Sequence, residues 1–204
     1  MNFKVFLSLF TALALSVASF IGTASARVDG DTITLGSALS LTGKYATNGL
    51  HTQRGYDFAV DRINATGGVM VGGKSYNLTV KYYDDESTPA RGAQLVERLI
   101  QQDGVDYMLG PYSSGMTKAM APVSEKFGVP MIEAEGASRS LFTQGYKYLF
   151  AVLSTTDLYL PGAVHFAADQ KKSIGASPSD AKVAMAFESD PFSMDVRAGS
   201  WLDH

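Results

Sequence analysis

Two short stretches of this 204-residue chain combine hydroxyls, small residues and carboxylates at spacings suited to holding a small charged molecule. The first is GPYSSGMT, residues 110–117. An apolar run, Val105 to Leu109, leads into a Gly110-Pro111 turn, then Tyr112, the hydroxyls of Ser113 and Ser114, and the opening of a helix. Helix N-terminal amides and serine hydroxyls all donate hydrogen bonds, which suits a carboxylate. The same serines can also simply cap the helix, with no ligand. The second stretch is EAEGASRS, residues 133–140. Gly136 and Ala137 let a ligand approach the backbone, and Ser138 adds a hydroxyl. Glu133 and Glu135 place negative charge where it meets an ammonium group, or else forms a solvated rim. A third group, Asp84-Asp85-Glu86, can bind a cation or brace the turn and helix that follow.

Other chemistries find no residues. Gly43-Lys44 is followed by Tyr45, and position 38 is Ala, so the phosphate-binding P-loop pattern fails. No G-x-G-x-x-G follows the first strand. Tyr112 stands two before Ser114, which removes the nucleophile-elbow pattern. His51, His165 and His204 have no metal spacing, and the absence of cysteine excludes disulfides, thiolate metal sites and a Cys nucleophile. No catalytic residue, metal or cofactor is therefore expected. With 17 Lys+Arg against 20 Asp+Glu and no long basic run, nothing favours nucleic acid. Hydrophobic residues at 46% and charged residues at 18% indicate a globular chain.

The elements that must position these loops alternate. Strands are expected at Ile33–Leu39, Leu78–Tyr83, Val105–Leu109, Pro130–Ala134, Tyr148–Leu153 and Val183–Phe187. Between them lie helices over 48–66, from Thr88-Pro89 to Asp103, over Thr117–Phe127, from Pro161 to Asp169 and from Ser193 to Trp201. Tyr56, Ala59, Val60 and Ile63 share one helix face, as do Ala93, Val96, Leu99 and Ile100. Val69 to Tyr76, with Gly72-Gly73 in the middle, reads as a hairpin. Strands separated by helices imply a doubly wound parallel sheet, whose ligands sit beyond the carboxyl ends of the strands.

Residues 1–26 carry a single charge, Lys4, then an apolar stretch, then Ala24-Ser25-Ala26. These are the features of a secretory signal, so the mature chain is expected to start at Arg27 and to be exported, and with no cysteine it is expected to carry no lipid anchor.

Six stretches in order carry a resemblance: LSLTGKYATNG, FAVDRINATGG, VKYYDDESTP, DYMLGPYSSGMT, FGVPMIEAEGASRSLF and KVAMAFESDPF. The chain resembles the periplasmic substrate-binding proteins of branched-chain amino acid ABC transporters, the leucine-binding type I family. The resemblance implies a type I periplasmic-binding-protein fold, an α/β lobe at 27–157 and a hinge and incomplete second α/β lobe at 158–204. It implies a monomer that captures an amino acid or similar small carboxylate and passes it to an inner-membrane permease, without catalysis or cofactor. The family's carboxylate grip falls on Ser114 and on Glu135, Gly136, Ala137 and Ser138, beside Tyr112 and Ser113. Its covering aromatic falls on Phe192. The aromatic of the first loop aligns with Asn48, with Tyr45 close by.

Two departures matter. The family's neutral loop after the fourth strand here carries Glu135, which points away from a leucine-like ligand. Family members are also much longer, so the chain is expected to be a truncated product or fragment whose half-cleft binds weakly. A receptor's ligand-sensing ectodomain and a secreted α/β enzyme are the rival readings.

Overall fold

Apolar and β-branched residues recur along the strands, and the loops between them carry the glycines and prolines that end each element. A computed structural model describes residues 28–180 and 182–200. The expected leader at 1–26 lies outside the described residues. The chain runs β1 (Val28–Asp29), β2 (Thr32–Leu39), α1 (Ala46–Ala65), β3 (Val69–Val71), β4 (Lys74–Asp84) and α2 (Pro89–Gln101). It continues through β5 (Met108–Leu109), α3 (Ser114–Phe127), β6 (Met131–Glu133), β7 (Leu149–Ala151), α4 (Pro161–Ser173) and α5 (Pro191–Gly199). Single 3-10 turns lie at Arg139–Leu141, Thr156–Leu158 and Pro178–Asp180.

The seven strands form one sheet in the order β3-β4-β2-β5-β6-β7, with β1 added against β2. The pairs β2–β4, β2–β5, β5–β6 and β6–β7 are parallel. From β2 the chain steps one way to β4, then crosses back to β5, β6 and β7. Right-handed crossovers in opposite directions put α1 on one face and α2 and α3 on the other. The core agrees: Val96 and Leu99 of α2 meet Met116, Met120 and Ala121 of α3 over Ala38, Met108 and Met131, with no α1 residue among them. The reversal beside β2 is the switch point at which doubly wound sheets open a crevice.

Several expected elements shift. The β3–β4 hairpin forms, with Val69 opposite Tyr76 and the turn glycines Gly72 and Gly73 at φ 58° and 85°. Its second arm runs on without a break, so β4 is one 11-residue strand. On α1, Tyr56, Val60 and Ile63 are half-buried but Ala59 is exposed, because the buried stripe runs through Gly49 and Thr52 instead. The strand expected at Val105–Leu109 pairs only at Met108–Leu109, while Val105 turns into the core beneath Gly36. Thr88 stands at the N-cap of α2 without a side-chain capping bond; Pro89 opens the helix. No strand forms at Val183–Phe187. A strand needs a neighbour for its amides and carbonyls; none pairs here among the described residues, and Val183 and Phe187 stay exposed.

Candidate functional site

The loops after β2, β4, β5 and β6 converge at the carboxyl ends of the strands. The acidic run after β4 is structural. Asp84 Oδ1 accepts the amides of Leu41 (3.0 Å), Thr42 (3.2 Å) and Glu86 (2.9 Å), and Oδ2 accepts the Thr42 hydroxyl at 2.7 Å. Burial acts to raise this carboxyl's pKa, but the four donors outweigh it and hold it below the usual value. Asp85 accepts the Ser40 hydroxyl at 2.7 Å and the Ser87 amide at 2.8 Å. Ser87 in turn accepts the Tyr45 amide at 3.0 Å and donates to the Thr42 carbonyl at 2.8 Å. The strand end thus fixes the first loop and sets Tyr45 at the N-cap of α1. Gly49 is required one turn on, because a Cβ there would overlap the Ser40 carbonyl oxygen.

After β5 the chain turns at Gly110, whose carbonyl accepts the Tyr56 hydroxyl at 2.8 Å. Ser113 caps α3, its Oγ accepting the Met116 amide at 3.3 Å. It does so at φ 81°, a conformation rare for a residue with a Cβ. The Tyr112 ring meets Tyr45 edge to face, with centroids 5.6 Å apart.

Glu133 is neither rim nor ligand contact. It is fully buried. Its Oε1 accepts the Glu135 and Gly136 amides, each at 2.7 Å, and its Oε2 lies 2.7 Å from the Thr117 hydroxyl. Burial, with Glu135 nearby, pushes its pKa up to about 7 against the pull of these donors. Thr117 Oγ1 also lies 2.9 Å from the Ser113 carbonyl, so this hydroxyl ties Glu133 to the start of α3. A protonated Glu133 can donate from Oε2 to Thr117 while Thr117 donates to Ser113.

These elements enclose a cavity of about 220 Å³. Of the residues expected from sequence, Tyr45, Tyr112, Ser113, Ser114, Glu135 and Phe192 line it. Asn48, Gly136, Ala137 and Ser138 do not line it. Asn48 contributes its carbonyl to Thr52 at 3.0 Å. Space beside Gly136 is filled by Thr117 and Glu133 rather than left for a ligand. The Ala137 carbonyl accepts the Thr156 amide at 2.9 Å. Ser138 is fully buried; its amide donates to Ser114 Oγ at 3.0 Å, and its hydroxyl meets Ser140, the Pro191 carbonyl and Asp195.

The cavity also takes in Gly115, Glu188, Asp190 and Ser193, which sequence reasoning missed. Asp190-Pro191 was the available signal: an acidic N-cap before a proline at the first helical position. Asp190 Oδ1 accepts the Phe192 amide at 2.8 Å and the Ser193 amide at 3.2 Å, and so starts α5. Tyr159 supports Phe192 edge to face, centroids 6.0 Å apart. Across the mouth, Lys44 Nζ lies 3.4 Å from Glu188 and 4.9 Å from the Tyr45 ring centroid. Both side chains of this ion pair are well exposed, so it contributes little stability. Among the described residues no group of three metal-ligating side chains forms.

An aromatic and hydroxyl-lined cleft thus stands at the sheet's switch point, and the chain is similar to several known proteins. A leucine-, isoleucine-, valine-, threonine- and alanine-binding protein of Pseudomonas aeruginosa is 29% identical over 164 residues, 80% of this chain and 41% of the relative. A branched-chain amino acid transporter substrate-binding protein of Streptococcus pneumoniae, solved with isoleucine, is 30% identical with a TM-score of 0.61 over 69% of this chain and 39% of that one. An ABC-transporter solute-binding protein of R. palustris, solved with 4-hydroxybenzoate, is 27% identical with a TM-score of 0.66, covering 83% of this chain and 42% of that one. The chain thus spans about two fifths of the length of the relatives it matches. Residues 32–200 match the family described as periplasmic binding protein, and the chain belongs to that family.

Proposed function

We propose that this chain is the ligand-capturing part of a periplasmic solute-binding component of an ABC importer, and that it performs no catalysis. The observation that carries the reading is the cavity at the carboxyl ends of β2, β5 and β6, where Ser113, Ser114 and Gly115 open α3 toward the aromatic frame of Tyr45, Tyr112 and Phe192. Family membership and the solute-bound relatives support it. In this reading residues 27–157 are the ligand-binding lobe, and 158–204 are the hinge and opening of a second lobe. The partner in this reading is an inner-membrane permease. Among the described residues no helix is long and apolar enough to cross a membrane.

The test is an NMR titration of the isotope-labelled chain with amino acids, amines and small aromatic carboxylates. Saturable shifts are expected at the Ser114 and Gly115 amides, and Ser114→Ala should weaken binding without unfolding the chain. If no solute moves these amides at millimolar concentration, the reading is wrong.

A further inference from the structure

The cavity's charge does not match the uncharged or anionic solutes that a neutral site would take. Three of its lining side chains are carboxylates: Glu135, Glu188 and Asp190. No Lys or Arg lines it among the described residues. Lys44 stands at its mouth, where it is shared with Glu188 at 3.4 Å. Asp190 spends one oxygen on the first amides of α5. Glu135 has no cationic partner among the described residues, and its Oε2 accepts the Thr52 hydroxyl, which fixes where its charge sits.

The surroundings sharpen this. Glu133, behind the same loop, is fully buried and held by backbone amides and by Thr117, so it does not face the cavity. Glu135 is the member of the pair that faces the cavity. The Tyr45–Tyr112 edge-to-face pair stands at the same cavity, and Tyr45 already carries the Lys44 ammonium over its ring at 4.9 Å. Aromatic faces attract cations and do nothing comparable for carboxylates. A carboxylate brought in here must satisfy the α3 amides while lying close to Glu135. An ammonium gains from both the carboxylates and the rings.

Resting on the solute-capture reading above, we propose that the ligand of this cavity is a compact solute of net positive charge, with a protonated amine seated against Glu135 within the Tyr45–Tyr112 frame. Short diamines and basic amino acids are the class. For the latter, the α3 N-terminus with Ser113 and Ser114 remains available for the carboxylate. Glu135 is then the residue that sets specificity against neutral amino acids and aromatic acids.

The experiment titrates the labelled full chain with putrescine, agmatine, lysine, leucine and 4-hydroxybenzoate, at low and at physiological salt, and repeats the series with Glu135→Gln and Glu188→Gln. At least one cationic solute should bind tighter than leucine and 4-hydroxybenzoate, and more weakly as salt rises. Glu135→Gln should weaken it about tenfold, as expected for losing a charged hydrogen-bond partner, and should narrow its lead over leucine. Glu188→Gln should weaken it by a smaller factor by releasing Lys44 as a competing cation. That variant carries the test if Glu135→Gln disturbs the folded spectrum. Tighter binding of leucine or 4-hydroxybenzoate, or cation affinities untouched by the informative variant, overturns the charge inference and leaves solute capture standing. Absence of shifts with every solute overturns both.

Discussion

Glu133 shows how one buried group can organise a binding loop without touching a ligand. Its carboxyl holds the Glu135 and Gly136 amides from behind and locks to α3 through Thr117. The folded state keeps its proton up to about pH 7, whereas an ordinary glutamate releases it near 4.5. Between those values the folded state binds more protons than the unfolded chain, so stability falls as pH rises from 4.5 to 7 and levels off above. The full effect is roughly 3 kcal/mol. Glu135 and Tyr56 face the same group, and Glu135 adds to the upward shift. Glu133→Gln mimics the protonated form, accepting both amides through Oε1 and donating to Thr117. It should remove this slope from a series of urea denaturations between pH 5 and 8. Glu133→Ala leaves two buried amides unpaired and should cost about 2–4 kcal/mol at pH 5. A Glu133→Gln slope matching wild type would exclude the group as its source. The type and position of Glu133 were readable in the sequence, but its role was not. A glutamate next to a strand end reads equally as rim or contact until the fold shows which way its pleat faces.

Helix starts carry the site, and each starts for a different reason. α1 is pressed against Ser40 at Gly49, so Gly49→Ala should shift the helix and with it Tyr45. Overpacking of this kind costs about 1–3 kcal/mol. The denaturation midpoint should fall, and the Tyr45 side-chain resonances should move; an unchanged spectrum would rule out the tight approach. α3 starts on a serine at φ 81°. Ser113→Gly relieves the backbone while losing the cap, and should be close to neutral; Ser113→Ala loses the cap and keeps the strain, and should cost about 1 kcal/mol or more. Thermal melts of the two variants separate these effects. α5 starts on Asp190, and Asp190→Ala should speed amide exchange at Phe192 and Ser193, while α3 is unaffected.

At the scale of the whole molecule, one sheet face is partly bare among the described residues. Ile132 of β6 is paired in register with Phe150 of β7, and both are exposed, as is Val152 just beyond. Adjacent apolar side chains at this density bind hydrophobic probes and promote association. The chain should enhance the fluorescence of an apolar dye and sediment above its monomer mass at tens of micromolar. Ile132→Thr with Phe150→Thr should reduce both effects without unfolding it, since neither side chain contributes to the buried cluster. A monomer that ignores the dye would show that the face is covered in solution.

The order of strands and helices, the parallel sheet and the position of the binding loops were all determined by local pattern: apolar periodicity, turn glycines and helix-opening prolines act within a few residues. The same local information misplaced what depends on distant partners. Val183–Phe187 has strand composition but no neighbour to pair with, so it forms none. Ser138 carries a ligand-ready hydroxyl that Asp195 and Pro191 claim from α5, 57 and 53 residues along the chain. Glu188 and Asp190 join the cavity because α5 packs back on α3 and the Thr156–Leu158 turn. Burial and charge balance are sums over neighbours in space. The residue types that suit a charged ligand are therefore visible in the chain, while the sign of the site is decided by tertiary packing.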